Sequence, residues 1–133
     1  MFDPAETLYH RLGGYDAIAA AVDDLLPRLV GDPQIGVYWK GMCADSMKKH
    51  HQLVVDFLCV ATGGPVNYVG RDMKTSHEGL GITESDWDVF VLHTVATLDD
   101  LGVTGAEKGE FLAAVAATTD DIVEAQRLAA AGA

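Results

Sequence analysis

The amino-acid sequence predicts an all-α fold, and three observations support this prediction. Apolar residues recur at spacings of three and four along several segments, as they do on one face of an amphipathic helix. Glycine and proline residues separate these segments, and no convincing alternation of period two indicates a strand. The chain has 133 residues, of which 49% are hydrophobic, so we expect one domain over residues 1–133 with a well-developed core.

The first third of the chain contains a predicted turn, a helix and a short aromatic segment. The turn at 7–10 is followed by two glycines that close it. Asp16 can then cap a helix that continues to Leu29, with its apolar residues at spacings of three and four. Pro27 lies inside this pattern and should kink the helix or end its regular part, because proline lacks an N–H and clashes with the preceding turn. The segment 35–39 is apolar and aromatic.

Two further helices carry three of the five histidines. The first begins near Asp45 or Ser46, either of which can cap it, and ends at about Thr62 because two glycines and a proline follow. A loop then leads to the second, a very short helix over 73–77 that Asp72 can cap and that glycines close.

The last third of the chain predicts two more helices. Thr83, followed by acidic residues in the first turn, is a strong start signal, and the helix that it begins ends at Gly102. The final helix extends from about Thr104 to Ala130 and can be broken at 118–119, where two threonines adjoin. This helix is Ala-rich and amphipathic.

The charge balance restricts the partners that the protein can bind. Nine Lys and Arg residues against 20 Asp and Glu residues give a net charge of −11, which disfavours nucleic acid and anionic membranes because both attract clustered cations. No apolar run approaches the roughly 18 residues of a membrane span, and Asp3 and Glu6 are unlike a secretory signal. We therefore expect a cytoplasmic protein, and we take it to be a monomer or a weak dimer.

Two histidines are candidates for chemistry. On a helical wheel, His50 lies at the centre of the apolar stripe of its helix, near Val54 and Phe57, whereas His51 lies at the edge of that stripe. His77 lies in a helix too short to be stable in water by itself, and a bond from its imidazole to a metal would anchor that helix. A hydrogen-bonded core histidine remains open for His50, as does a surface histidine for His77.

A large flat cofactor that contains a metal explains these histidines better than other metal sites do. The zinc pattern H-E-x-x-H and the paired Glu-x-x-His of di-iron bundles are absent from the sequence. Cys43 and Cys59 form no metal-binding spacing, and Cys59 is expected in the core. His10 and His93 have flanking residues that indicate structural roles. Aromatic residues occur in the segments near the histidines: Tyr38, Trp39, Phe57, Tyr68, Trp87 and Phe90.

Several motifs, spaced over nearly the whole chain and in the expected order, match those of a known family. They are Leu8-Tyr9-His10-Arg11-Leu12-Gly13-Gly14, Gly63-Gly64-Pro65, Tyr68-Val69-Gly70-Arg71-Asp72-Met73-Lys74 with His77, and Gly81-Ile82-Thr83 before Trp87. On these motifs the chain resembles a truncated haemoglobin of group I. The resemblance implies a short globin with a two-over-two helical sandwich around haem b.

The resemblance also implies which residues surround the haem. His77 matches the proximal histidine that binds the iron, and Met73 matches a residue that packs beside it. Lys74 and Lys49 would pair with the haem propionates, which supplies an anionic partner for a basic spot in an acidic protein. His50 matches the distal position that faces the ligand. The full set of implied positions is Trp39, Lys49, His50, Val54, Phe57, Tyr68, Met73, Lys74, His77, Ile82 and Trp87.

The sequence departs from the family pattern on the distal side of the haem. Leu26 stands where a tyrosine commonly hydrogen-bonds the ligand, Leu25 where a phenylalanine is usual, and Val54 where a glutamine often stands. Trp39 replaces a phenylalanine. His50 is then the main candidate donor to the ligand, and it could also bind the iron directly when no ligand is present.

Four functions remain open on the sequence. The first is reversible binding of oxygen, as in oxygen transport, or of CO or NO. The second is enzymatic, as a nitric oxide dioxygenase or a peroxidase-like haem enzyme, and it needs a reductase partner, since the cofactor carries the chemistry. The third is a bis-histidyl redox or sensor globin in which His50 and His77 both bind the iron. The fourth is an acidic helical module that binds a partner protein without a cofactor.

Overall fold

α-Helices and the short segments between them make up this computed structural model, which describes residues 7–70, 72–78 and 80–123. Within those residues no β-strand is present, in agreement with the all-α prediction. The α-helices are α1 Leu8–Leu12, α2 Tyr15–Val30, α3 Ala44–Ala61, α4 Met73–His77, α5 Glu84–Asp100, α6 Gly105–Ala116 and α7 Thr119–Ile122. A 3-10 helix covers Gly36–Trp39.

The core forms where α2 lies against α3 and α5, and α1 packs on α6. Its buried side chains are Tyr9, Ile18, Val22, Leu26, Val55, Leu58, Cys59, Leu98, Phe111 and Val115. Fully burying one aliphatic side chain of this kind stabilises a fold by roughly 1.5 to 3 kcal/mol. Cys59 is completely buried, which confirms its predicted place in the core. Among the described residues, no helix combines the length and the apolar character that a membrane span requires.

The bounds of α2 differ from the sequence-based prediction at both ends. The N-cap is Gly14, with a φ of 82°, so Asp16 lies within the first helical turn instead of capping it. There its carboxylate faces the positive end of the helix dipole. Pro27 does not end the helix, which continues to Val30. Pro27 has no N–H, so the backbone carbonyl group one turn earlier in α2 lacks its helical hydrogen-bond partner. Because Pro27 lies on the exposed side, water can form a hydrogen bond with that carbonyl group instead.

α3 and the last predicted helix also differ from their predicted bounds. α3 begins at Ala44, directly after Cys43, so it starts before both predicted caps. The last helix is divided into α6 and α7, as the paired threonines suggested. The Thr118 hydroxyl donates to the carbonyl oxygen of Val115 at 2.7 Å, and such bonds compete with the helical backbone pattern. The predicted end at Ala130 lies outside the described residues.

Candidate functional site

A cavity of about 340 Å³ is lined by residues of α2, α3, α4 and α5 and of the 3-10 helix. This volume lies within the range of small-molecule sites. Most of the residues that the sequence places around a cofactor line it: Trp39, His50, Val54, Phe57, Tyr68, Met73, His77, Ile82 and Trp87. The other two, Lys49 and Lys74, are exposed and lie outside the lining.

α3 has two apolar faces, and only one of them faces the cavity. Val55 and Cys59 belong to the buried face and pack in the core, outside the cavity lining. His50, Val54 and Phe57 are only half-buried, although the helical wheel places them at the centre of the apolar stripe. They are half-buried because they line the cavity. The apolar area of this face is therefore available to cover a ligand.

The imidazole of His77 is oriented by its own helix. Asp72 caps α4, and its carboxylate accepts a hydrogen bond from the backbone N–H of Thr75 at 2.7 Å. Nδ1 of His77 lies 2.7 Å from the backbone carbonyl oxygen of Met73. Because a carbonyl oxygen only accepts, Nδ1 carries the proton in this bond and Nε2 keeps its lone pair. Metal-binding histidines usually have this arrangement, in which the second ring nitrogen is bonded to the protein.

A second imidazole lines the cavity from α3, and Trp39 contacts it. The indole Nε1–H of Trp39 donates a hydrogen bond to Nε2 of His50 at 3.0 Å, and the two ring centroids are 6.1 Å apart. Burial lowers the pKa of His50 below its usual 6.5, and the proximity of His77 and His51 lowers it further. His50 and His77 both line the cavity.

A buried carboxylate fixes the 3-10 helix that carries Trp39. Asp86 accepts hydrogen bonds from the Tyr38 hydroxyl at 2.6 Å and from the Gln34 side chain at 2.7 Å. It also accepts from the backbone N–H of Thr83 at 3.1 Å, as part of the capping box of α5. Burial acts to raise the pKa of Asp86, but these hydrogen bonds outweigh it and hold the pKa below the usual 3.8. Burial and the adjacent carboxylate raise the pKa of Tyr38 to about 12.

The other histidines are bonded to groups outside the predicted haem contacts. Nε2 of His51 lies 2.6 Å from a carboxylate oxygen of Asp23 on α2. Nε2 of His93 lies 2.8 Å from a carboxylate oxygen of Asp32. Nδ1 of His10 lies 2.8 Å from the hydroxyl group of the threonine that caps α1. These contacts agree with the structural or boundary roles that the sequence indicated.

Two features of the site have no clear signature in the sequence. The hydrogen bond between Trp39 and His50 joins a 3-10 helix to the α-helix that follows it, and no periodicity relates the two residues. The cavity also extends to the last helices, whose spacing is that of an ordinary core helix. The lining residues from this region are Phe111, Val115, Thr118 and Ile122.

The residues that face the cavity fit a haem. A flat, largely apolar cofactor needs apolar walls, and the lining includes Leu25, Leu29 and Ile35. It also needs a nitrogen ligand for iron, which Nε2 of His77 can supply because its lone pair is not used by the bond to the backbone. The donor chemistry and the walls therefore agree with the cofactor that the sequence implied.

Comparison with known proteins gives matches over most of the chain. A model of the bacterial-like globin family matches residues 7–124. A group 1 truncated haemoglobin from Mycolicibacterium paratuberculosis is 31% identical over 120 residues, and the match covers 90% of this chain and 85% of the relative.

Solved structures give matches of the same kind. The truncated haemoglobin of Tetrahymena pyriformis in its Fe(III) form has a TM-score of 0.82 and 30% identity, and the match covers 89% of this chain and 98% of that chain. A two-over-two haemoglobin from a Synechococcus species, in the cyanomet state and with covalently attached haem, has a TM-score of 0.79 and 27% identity. That match covers 88% of this chain and 98% of the other.

Proposed function

The chain belongs to the bacterial-like globins and, within them, to the group I truncated haemoglobins, and from this membership we propose that it is a haem b protein that reversibly binds oxygen and other diatomic ligands. Membership confirms the resemblance that the sequence motifs indicated. It also confirms the truncated globin fold, a two-over-two helical sandwich. Haem, when bound, supplies the iron centre at which oxygen, CO or NO binds.

One observation carries the proposal: Nδ1 of His77 is bonded to the carbonyl oxygen of Met73, and His77 lines the cavity. The bond fixes the tautomer, so that Nε2 has a lone pair for iron. In this role His77 is the proximal ligand. Phe57 and Trp87, on other parts of the lining, provide apolar contact area for the cofactor.

The side chains that line the cavity from α2, α3 and the 3-10 helix determine how strongly the protein holds a diatomic ligand. Leu26 and Val54 line the cavity and offer no hydrogen bond, and the indole N–H of Trp39 is already donated to Nε2 of His50. One neutral hydrogen bond contributes about 1 kcal/mol, or about five- to tenfold in affinity. We therefore expect weaker stabilisation of the ligand than a distal tyrosine would give, unless His50 donates to it.

Two exposed lysines adjoin residues of the cavity lining in the sequence. Lys74 is next to the cavity residue Met73, and Lys49 is next to His50, so both are near enough in sequence to reach anionic groups at the edge of a bound cofactor. We take them as partners of the haem propionates. We further propose that the protein acts in the cytoplasm as a single-domain monomer or weak dimer, with a reductase that keeps the iron ferrous.

Titration of the purified apoprotein with haem, followed by absorption spectra, tests this function. We expect an intense Soret band that saturates at one haem per chain, and a ferrous form that binds oxygen and CO and releases them again. A band that rises without saturation, as for haem in free solution, would refute haem binding. A saturating band with no change on addition of CO or oxygen would refute ligand binding alone.

A further inference from the structure

The hydrogen bond between Trp39 and His50 uses Nε2 of His50. In a bis-histidyl globin, the lone pair of that nitrogen would bind the iron. A neutral imidazole has one lone pair in the plane of its ring, on the nitrogen without a proton. Here the indole N–H of Trp39 donates to Nε2 of His50 at 3.0 Å. The proton of the imidazole is then on Nδ1, and the lone pair of Nε2 is already in use.

We propose that Trp39 is a positioning residue that holds Nε2 of His50 away from the haem iron, so that the sixth coordination position stays open to external ligands. The proposal rests on the proposed function, because it needs haem bound at His77. It separates this chain from a bis-histidyl globin, in which the lone pair of His50 would be given to the iron.

Trp39 can have this role because hydrogen bonds fix the chain at two places just before it. Before it, one carboxylate oxygen of Asp32 accepts hydrogen bonds from the backbone N–H groups of Gln34 at 2.7 Å and Ile35 at 3.1 Å. Beside it, the hydroxyl of Tyr38 donates to the carboxylate at the start of α5 at 2.6 Å. The 3-10 helix is thus fixed to α5, while its last residue bonds to α3. The indole is held in place before any ligand arrives.

The adjacent histidine provides a natural comparison. His51 follows His50 on α3, but its Nε2 lies 2.6 Å from a carboxylate oxygen of Asp23, and the residue is not part of the cavity lining. Loss of the indole N–H therefore frees His50 and leaves the surroundings of His51 unchanged. The two histidines differ in this respect although they are neighbours in sequence.

The test compares absorption spectra of the haem-loaded ferrous protein without external ligand. Trp39→Phe keeps an aromatic ring and removes the N–H. We expect the ratio of six-coordinate low-spin to five-coordinate haem to rise about five- to tenfold, which corresponds to one neutral hydrogen bond. The double variant Trp39→Phe/His50→Ala should lose the low-spin species, whereas Trp39→Phe/His51→Ala should retain it.

A second readout needs no haem. In the apoprotein, the indole N–H groups of the two tryptophans should give two separate signals in a ¹H–¹⁵N NMR spectrum, and the signal that remains in Trp87→Phe identifies Trp39. His50→Ala should move that signal upfield, because the hydrogen bond is lost, whereas His51→Ala should leave it in place. This measurement tests the hydrogen bond on which the proposal depends, even if Trp39→Phe does not fold.

Three results would overturn the proposal. In the first, the spectrum of Trp39→Phe shows the same five-coordinate fraction as the unmodified protein. In the second, the low-spin species of Trp39→Phe persists after His50→Ala, and in the third, His50→Ala leaves the Trp39 signal unmoved. All three are distinct from failure of the proposed function, which would appear as the absence of a saturating Soret band in the unmodified chain.

Discussion

Nδ1 of His77 lies 2.7 Å from the backbone carbonyl oxygen of Met73, one turn earlier in α4. α4 has five residues, and a helix of that length is not stable in water by itself. Its own hydrogen bonds orient the imidazole, and a bond from Nε2 to iron would in turn stabilise the helix. Folding of α4 and binding of the cofactor are therefore expected to be coupled.

Replacing this histidine should abolish tight haem binding in a way that a small molecule can reverse. Loss of a hydrogen-bond partner of a metal-binding histidine already costs about 10- to 100-fold in affinity, so His77→Gly should weaken haem binding by at least about 100-fold. Added imidazole should restore much of the Soret band, because it fits the space left by the side chain. The measurement is a haem titration with and without imidazole.

His10→Ala is the comparison for that experiment. His10 is exposed on α1 and bonds the residue that caps that helix, so its variant should take up haem like the unmodified chain. If His77→Gly took up haem with unchanged affinity, the assignment of the proximal ligand to His77 would be wrong.

Asp86 should make the stability of the protein dependent on acid pH. Its pKa in the folded protein lies below the usual 3.8, so folding favours the ionised carboxylate. The stabilisation is complete above the unfolded-state pKa and is lost as the pH falls through the lowered folded-state pKa. Near neutral pH, Asp86→Asn should lower the free energy of unfolding by about 1.5 to 3 kcal/mol, since hydrogen bonds to a charged group are lost.

Urea unfolding from neutral pH down to about pH 3, followed by circular dichroism, measures this effect. The difference between Asp86→Asn and the unmodified protein should shrink as the medium becomes more acidic. Asp88→Asn, an exposed carboxylate two residues further along α5, should change the stability by less than about 0.5 kcal/mol. A difference that is the same at all pH values would contradict this role for the charge of Asp86.

Much of the fold could be predicted from the sequence because helices have a local signature. Apolar spacing and the glycines after α3 and α5 located these helices to within one or two residues. The face of α3 was harder: Val55 and Cys59 are buried, whereas the predicted centre, His50, is half-buried. Periodicity shows that a face is apolar, and it does not show whether that face meets another helix or a cavity.

The polar contacts of the site could not be predicted for a related reason. The sequence predicts acidic residues in the first turn after Thr83, and in the structure one of them, Asp86, completes a capping box with Thr83. Its second role, as acceptor for Tyr38, joins residues that are 48 positions apart. Such a pair depends on how the elements pack, and one sequence contains no record of it. The bond between Trp39 and His50 is of the same kind.

The apolar distal wall predicts that one added hydroxyl group will tighten ligand binding. Leu26 is buried and lines the cavity. Leu26→Tyr should slow oxygen dissociation about five- to tenfold, because its hydroxyl can donate to the ligand. Leu26→Phe has the same ring without the hydroxyl, so it reports the effect of size alone. Stopped-flow displacement of oxygen by CO measures the rate. Equal rates in the two variants would show that the hydroxyl does not reach the ligand.

Gly36 holds the start of the 3-10 helix close to the end of α2, and this closeness predicts that an added methyl group will disturb the site. A Cβ at Gly36 would overlap the carbonyl oxygen of Val30, which belongs to the backbone and cannot rotate away. Gly36→Ala should therefore lower the free energy of unfolding in urea by about 1 to 3 kcal/mol and move the indole signal of Trp39.

The control variant is Gly109→Ala. Gly109 lies in α6 with open space around its Cβ position, so this variant should raise the free energy of unfolding by about 0.5 to 1 kcal/mol. If Gly36→Ala lowers the free energy of unfolding while Gly109→Ala raises it, the loss at Gly36 comes from the contact with Val30. If Gly36→Ala leaves the free energy of unfolding unchanged, the 3-10 helix can shift without cost.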